Sequence, residues 1–400
     1  MKNTKKNRLF NSILTIALFI MAVILFQFCQ KESNKQSYKV AAYYWPAYHD
    51  EPRWTPFFEE SPDVPGEWRI IKNSEPKYEG HRQPRVPVWG YEDESDPEVM
   101  EKKIDAAVSH GVNVFIFDWY WYEGKPFLEE TINEGFLGAD NNDKIDFYIM
   151  WANQAATTLW DKRRSHELDT IWSGEVDRAN FNIFTDRIIS KYMKHPSYLK
   201  IDGKPVFSIY ELGTLIRGLG GIKETRDALD SFRNKVKKAG FPGLHLQAIL
   251  WSNIPDTESD VPGDTSKTQN NTIKALGINS LTNYQFVHVS KPVDKYTDWA
   301  DRAVAKWQKW DSEFSVPFFP HVAVDWDTNP RFYEYKPNIK EGVNPENFKK
   351  YLKKAKAYLD AHPDQYPLVT INSWNEWSEG SYLEPDTTHG MGYLEAIQDV

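Results

Sequence analysis

The sequence predicts an α/β fold, a (β/α)8 TIM barrel forming a single domain with an elaborated first βα loop. Three observations carry this. Eight short β-rich runs recur along the chain, several nearly continuous in apolar residues, as expected for parallel strands covered on both faces. Amphipathic helical stretches alternate with them, the pattern that builds a parallel barrel. No G-x-G-x-x-G or P-loop follows any run, which counts against the competing doubly wound open sheet.

Taken in order, the chain opens with Lys2, Lys5, Lys6 and Arg8 ahead of an uncharged apolar run, Ile13 to Phe26, followed by Cys29, the single cysteine. A basic start and a short apolar core make residues 1–29 a secretory signal, and a lone cysteine just after it resembles a lipoprotein-type lipidation site; an uncleaved anchor or an ordinary signal are the alternatives. Each exports the chain, which places it in the bacterial cell envelope, lipid-anchored to a membrane in the first case. With no second cysteine, disulfides cannot hold the mature fold. Residues 30–37 read as a short polar linker and 38–400 as the catalytic barrel.

Strands are expected at Lys39 to Trp45, Val112 to Trp119, Asp146 to Trp151, Pro205 to Tyr210, Leu244 to Trp251, Ser280 to Phe286, Phe318 to Val324 and Leu368 to Trp374. Helices are expected at Asp96 to His110, Phe181 to Lys194, Lys223 to Ala239, Tyr296 to Phe314 and Pro345 to Ala361. Ser95-Asp96-Pro97-Glu98 supplies the first of these with a capping residue, an early proline and an early acid. Gly218-Leu219-Gly220-Gly221 reads as a flexible loop, because it lacks the Lys-Ser/Thr pair of a phosphate cradle. Pro46 to Ser95 reads as a long first loop over the barrel mouth.

Composition narrows the chemistry. A net charge of −9 argues against a nucleic-acid partner, which needs clustered Lys and Arg. Sixteen Trp, 21 Tyr and 22 Phe make 15% of the chain, more rings than a core of this size needs, so some are expected to meet ligand. The ten His are scattered and no Cys/His cluster exists, so neither a metal nor a cofactor is expected. No G-x-S-x-G elbow is present.

Active sites of such barrels lie at the carboxyl ends of the strands. Nearly every expected strand end here is aromatic plus polar, a combination suited to a polyhydroxylated ring. The candidate ligand-contacting residues are Tyr44, Trp45, Asp118, Trp119, Trp121, Trp151, Asn153, Tyr210, Glu211, His321, Trp326, Asp327, Asn375 and Trp377, with His81 and Gln83 from the first loop. His81 reads as a hydrogen-bonding residue rather than a metal ligand. Glycoside cleavage needs two carboxyl groups, one to protonate the leaving oxygen and one to act as nucleophile or base. Glu376 and Glu379, just past the last strand, are the best pair, with Asp118, Glu211, Asp325 and Asp327 as reserves. On a straight strand the two glutamates would point to opposite faces, so the pairing requires a turn between them.

Several motifs together resemble the WbsX-like branch of the glycoside hydrolase family 99 superfamily. They are Gly80-His81-Arg82-Gln83-Pro84, Asp96-Pro97-Glu98-Val99-Met100-Glu101, Trp119-Tyr120-Trp121 with Gly124-Lys125, Trp151-Ala152-Asn153, and Trp374-Asn375-Glu376-Trp377 with Glu379 and Glu384-Pro385. The resemblance runs from about Lys39 to the C-terminus. It implies a (β/α)8 barrel and, from family 99 proper, retaining endo-α-mannosidase chemistry. On the matching positions it implies that Glu376 deprotonates a sugar 2-hydroxyl, giving a 1,2-anhydro intermediate, while Glu379 protonates the leaving oxygen and then activates water. The branch usually continues Trp-Ala-Asn with Glu-Asn-Trp-Thr, whereas Gln154-Ala155-Ala156-Thr157 stands here, which leaves the sugar identity open.

The expected function is therefore an exported, endo-acting, retaining glycoside hydrolase for α-linked bonds in a polysaccharide or oligosaccharide substrate. The alternatives are a WbsX-type glycosyltransferase in surface-polysaccharide synthesis and a non-catalytic carbohydrate-binding lipoprotein. Export and the lack of a diphosphate-binding loop weigh against the transferase.

Overall fold

The computed structural model describes residues 38–58, 63–251 and 254–400. The signal segment, Cys29 and the linker expected over residues 1–37 lie outside them. Lys39–Val400 form one compact unit.

Eight parallel strands are present where the sequence places them: β1 (Lys39–Tyr44), β2 (Val114–Tyr122), β3 (Asp146–Trp151), β4 (Lys204–Ile209), β5 (His245–Ile249), β6 (Ser280–Thr282), β7 (His321–Ala323) and β8 (Leu368–Asn372). They neighbour in the order β6-β5-β4-β3-β2-β1-β8-β7. The seam between β6 and β7 is closed by two backbone hydrogen bonds, Leu281 N to Pro317 O at 2.9 Å and Phe319 N to Leu281 O at 2.8 Å. The fold is thus the expected barrel, and closure removes the free strand edges an open sheet would expose.

Around it lie α1 (Pro97–Ser109), α2 (Arg178–Ile188), α3 (Leu212–Leu219), α4 (Ile222–Lys238), α5 (Gln269–Leu276), α6 (Tyr296–Val304), α7 (Trp307–Glu313), α8 (Pro345–Ala361) and α9 (Gly392–Gln398). Asp96 caps α1 as its sequence signature predicts, accepting a bond from Glu98 N at 2.9 Å. Two helical expectations are corrected. The single helix over Tyr296 to Phe314 is two, α6 and α7, whose break lets Trp307 pack on Tyr358 and Trp310 on Phe318. The glycine-rich stretch at 218–221 is the end of α3, where Gly220 adopts φ +94° as a left-handed cap.

Strand alternation divides the rings into two populations. Inward side chains include Tyr43, Tyr148, Thr282, His321 and Thr370, joined by bonds such as Tyr148 Oη to Gln247 Oε1 at 3.0 Å and His321 Nδ1 to Thr370 Oγ1 at 2.9 Å. Outward side chains, among them Tyr44, Phe115, Phe117, Trp119 and Trp151, form the apolar layer under the helices. The polar inner layer is the floor on which the mouth is built.

Candidate active site

Past β8 the chain reverses tightly. Asn375–Glu376 pair antiparallel with Ser381–Tyr382, and between them Trp377–Glu379 form a single 3-10 turn closed by Gly380 at φ +70°. The backbone angle favours glycine, and a Cβ at Gly380 would stand 2.8 Å from Arg85 Nη2, so the guanidinium would have to shift. Ser373 Oγ accepts from Glu376 N at 2.8 Å and donates to Ser381 O at 2.6 Å, and the Trp377 ring stacks on Tyr382 with centroids 3.7 Å apart. This turn supplies the bend that the glutamate pairing requires: Glu376 and Glu379 line the same cavity at the barrel mouth.

That cavity, of about 180 Å³, is also lined by Trp45, Asp118, Tyr120, Gln154, Trp160, Tyr210, Tyr284, His288, Trp326 and Arg331. Arg331 organises its charge. Its Nη1 donates to Glu379 Oε1 at 2.7 Å, and its Nη2 reaches Glu376 Oε1 at 3.1 Å and Glu67 Oε1 at 3.4 Å. Glu67 comes from the first loop, where Gly66 (φ +52°) lets the backbone pass Ala47 O, 2.1 Å from where a Cβ would sit. Its carboxylate also accepts from Trp45 Nε1 at 2.6 Å and Ser378 Oγ at 2.9 Å. On the far side Tyr284 Oη lies 2.8 Å from both Asp118 Oδ2 and Glu376 Oε2.

One buried guanidinium cannot balance four buried carboxylates, so protons must be retained. Burial pushes Glu376 well above its ordinary range, Glu379 and Asp118 add to it when they are ionised, and Arg331 and the Tyr284 bond pull back. Burial raises Glu379 as well, opposed by Arg331. Asp118 is raised strongly by burial and further by Glu379, with only the Tyr284 bond opposing. Burial holds His288 down to about 3, so it meets the cavity neutral.

Of the residues expected to contact ligand, the structure brings Trp45, Asp118, Tyr210 and Trp326 into the cavity wall with the glutamate pair. The others do not line it. Tyr44, Trp119, Trp121 and Trp151 face outward, where Trp119 and Trp151 pack on Phe184 and Trp119 Nε1 donates to Glu129. The expectation took whole strand ends, whereas alternation selects Tyr43 over Tyr44 and Tyr120 over its Trp neighbours. His321 points inward but lies in the floor beneath the mouth. Asn153 and Glu211 tie two loops together, Asn153 Nδ2 donating to Glu211 O at 2.9 Å and Glu211 N to Asn153 Oδ1 at 2.7 Å.

His81, Gln83 and Asp327 form a support behind the wall. Asp327 Oδ2 is met by His81 Nε2 at 2.8 Å and Gln83 Nε2 at 2.9 Å, and Arg85 Nη2 binds Asp325 Oδ2 at 2.7 Å. Although burial opposes it, the His81 bond and the Arg85 charge hold Asp327 well below the usual carboxylate range. Asn375 bonds Trp45 N and O, both at 2.8 Å, locking the ends of β1 and β8 together, and Trp377 Nε1 donates to Glu384 at 2.7 Å. Arg331, Glu67, Tyr120, Trp160, Tyr284 and His288 were not among the expected contacts. Alternation from Asp118 would have found Tyr120, and charge balance demanded a cation without saying which. Among the described residues no group of three His, Cys, Asp or Glu converges as metal ligands.

Comparison with known proteins bears on this geometry. The family model described as glycosyltransferase WbsX matches residues 40–397. Two curated relatives, both called uncharacterized protein WxcX and from two strains of Xanthomonas campestris pv. campestris, are 27% identical over 370 residues, covering 90% of this chain and 49% of theirs. The chain thus spans about half the length of the curated relatives it matches. Among solved structures, a GH99 endo-alpha-mannosidase from Bacteroides thetaiotaomicron superposes with a TM-score of 0.54 at 15% identity, covering 90% of this chain and 95% of that one. A glycoside hydrolase-like protein gives a TM-score of 0.54 at 14% identity, covering 91% and 94%. At such identities the likeness is one of fold, a (β/α)8 barrel.

Proposed function

The chain belongs to the family described as glycosyltransferase WbsX; because its barrel mouth holds two buried glutamates on one arginine, we propose that it is a glycoside hydrolase. The reaction is retaining cleavage of an α-linked bond within a polysaccharide or glycan. The observation that carries this reading is the convergence of Glu376 and Glu379 on Arg331 in a cavity walled by Trp45, Trp160, Tyr210 and Trp326.

Glu376 is the base. It is held by Arg331 on one oxygen and Tyr284 on the other, donors that stabilise an ionised carboxylate, and it accepts the proton of the sugar 2-hydroxyl as that oxygen attacks the anomeric carbon. Glu379 is the general acid, kept protonated at higher pH than a solvated glutamate by its burial. It protonates the departing oxygen and then, ionised, takes a proton from the water that opens the 1,2-anhydro sugar at the anomeric carbon, while Glu376 returns its proton to the 2-oxygen. The rings supply stacking faces for the sugar.

The family's description favours transfer as a second reading. A nucleotide-sugar donor needs cations for its diphosphate, yet among the described residues lining the cavity the Lys/Arg complement is Arg331, already committed to three glutamates. Incubating the purified protein with a panel of α-linked glycans separates the readings. Free oligosaccharide released without nucleotide sugar is expected. Products that appear only with an added nucleotide sugar, or binding with no product, would overturn the hydrolase assignment. The export segment supports a lipid-anchored place in the cell envelope, for which fatty-acid labelling lost in Cys29→Ser is the expected result.

A further inference from the structure

Tyr284 poses a problem of proton counting. Its Oη stands 2.8 Å from Asp118 Oδ2 and 2.8 Å from Glu376 Oε2. A phenol carries one hydrogen, so it can donate to one carboxyl group. The second contact is a hydrogen bond only where the other carboxyl is protonated and donates to the phenol oxygen. Tyr284 itself stays neutral, because burial beside Asp118 and Glu376 drives its ionisation far up.

The cation decides which carboxyl keeps the proton. Glu376 Oε1 is met by Arg331 Nη2. Asp118 is 3% exposed, its Oδ1 is buried and among the described residues no donor reaches it, and Tyr284 is the partner of its Oδ2. The titratable groups that face it are Tyr43, Tyr120, Tyr210 and Tyr284 from the neighbouring strand ends, with Glu376 and Glu379 from the last turn; His288, held neutral, and Arg331, bonded to the glutamates, line the same cavity, and among the described residues no cation bonds Asp118. A charge on Asp118 would be desolvated and unpaired, whereas a charge on Glu376 has a guanidinium beside it.

We propose that Asp118 is held as the neutral carboxylic acid, that its Oδ2–H donates to Tyr284 Oη, and that Tyr284 in turn donates to Glu376, keeping Glu376 ionised. Asp118 is then a positioning residue acting through Tyr284. Its function rests on the reading of Glu376 as the base, but its protonation state does not. Burial raises both Asp118 and Glu376, and of the two it is Glu376 that has the Arg331 charge opposing it.

Infrared spectroscopy of the resting protein with carbonyl-labelled aspartate tests this near neutral pH. A protonated-acid carbonyl band is expected, absent in Asp118→Asn and retained in Glu376→Gln. If Asp118→Asn removes no such band, the proposal falls. Should that variant not fold, Tyr284→Phe serves instead: loss of the hydrogen-bond acceptor is expected to move the band to higher frequency, and an unmoved band overturns the assignment. In turnover, Asp118→Asn replaces a neutral donor by a neutral donor, so the acid limb of kcat/KM against pH is expected to stay in place. A shift of that limb to lower pH would mean that a negative charge had been removed, and would overturn the proposal. A wild-type protein that shows the band but cleaves no glycan would leave the proton assignment standing and remove the hydrolase reading.

Discussion

At the scale of single residues, the site is three glutamates on one cation, with Asp118 joined to them through Tyr284. Glu376→Gln and Glu379→Gln are each expected to lower kcat/KM by at least about 10²-fold, the order of an acid–base contribution, with unchanged circular dichroism. Wild-type turnover in either variant would remove that carboxylate from the mechanism. Because burial raises Glu376, the proposed base is neutralised earlier than a solvated glutamate as pH falls. The acid limb of the pH–rate profile is therefore expected above 4.5, the ordinary glutamate value. Arg331→Met leaves buried carboxylates without their cation and is expected to cost about 3–5 kcal/mol of stability, read by denaturant unfolding. The glutamate pair was legible in the sequence because its spacing and its place after the last strand both carry information. Arg331 was not: it sits in the long connection after β7, where no periodicity points at a site.

At the scale of elements, the turn after β8 and the support behind it set the geometry. Gly380→Ala forces a left-handed angle on an L side chain and drives its Cβ into Arg85, with expected losses of about 1–3 kcal/mol in stability and of activity as well. A variant equal to wild type in both would show that the turn tolerates another path. The strands were legible from their apolar runs, which burial on both faces makes continuous. Which rings face the mouth was not, because a run such as Phe117-Asp118-Trp119-Tyr120-Trp121 is aromatic on both faces, and only Asp118 fixes the phase. The motif at 80–84 looked like part of the pocket, yet His81 and Gln83 spend their bonds on Asp327 behind it.

At the scale of the whole molecule, the buried carboxyl groups set how stability follows pH. Glu94, lifted to about 7 chiefly by burial, and Asp118, Glu376, Glu379 and Asp325, all raised first by burial, hold protons more tightly folded than unfolded. Their contribution is complete below the unfolded values near 4 and is lost as pH rises through the folded ones. Asp327 is depressed, so its contribution is present above 3.8 and lost as pH falls through its folded value. Calorimetry is therefore expected to show the melting temperature rising from neutral to mildly acidic pH and dropping below about 4. A steady decline from neutrality downward would contradict this balance. The prediction also separates stability from turnover, since the protonation that firms the fold silences the base.

The seam between β1 and β8 has a temporal meaning. Asn375 grips the backbone of Trp45 across 330 residues of chain, and the carboxylates around Arg331 come from the loop after the first strand and the turn after the last. During synthesis from the N-terminus, Glu67 emerges early and waits, solvated, until the last strand has left the ribosome and docked. The candidate site is thus assembled in the closing step of folding, through long-range contacts, and a nascent or C-terminally clipped copy lacks the glutamate pair.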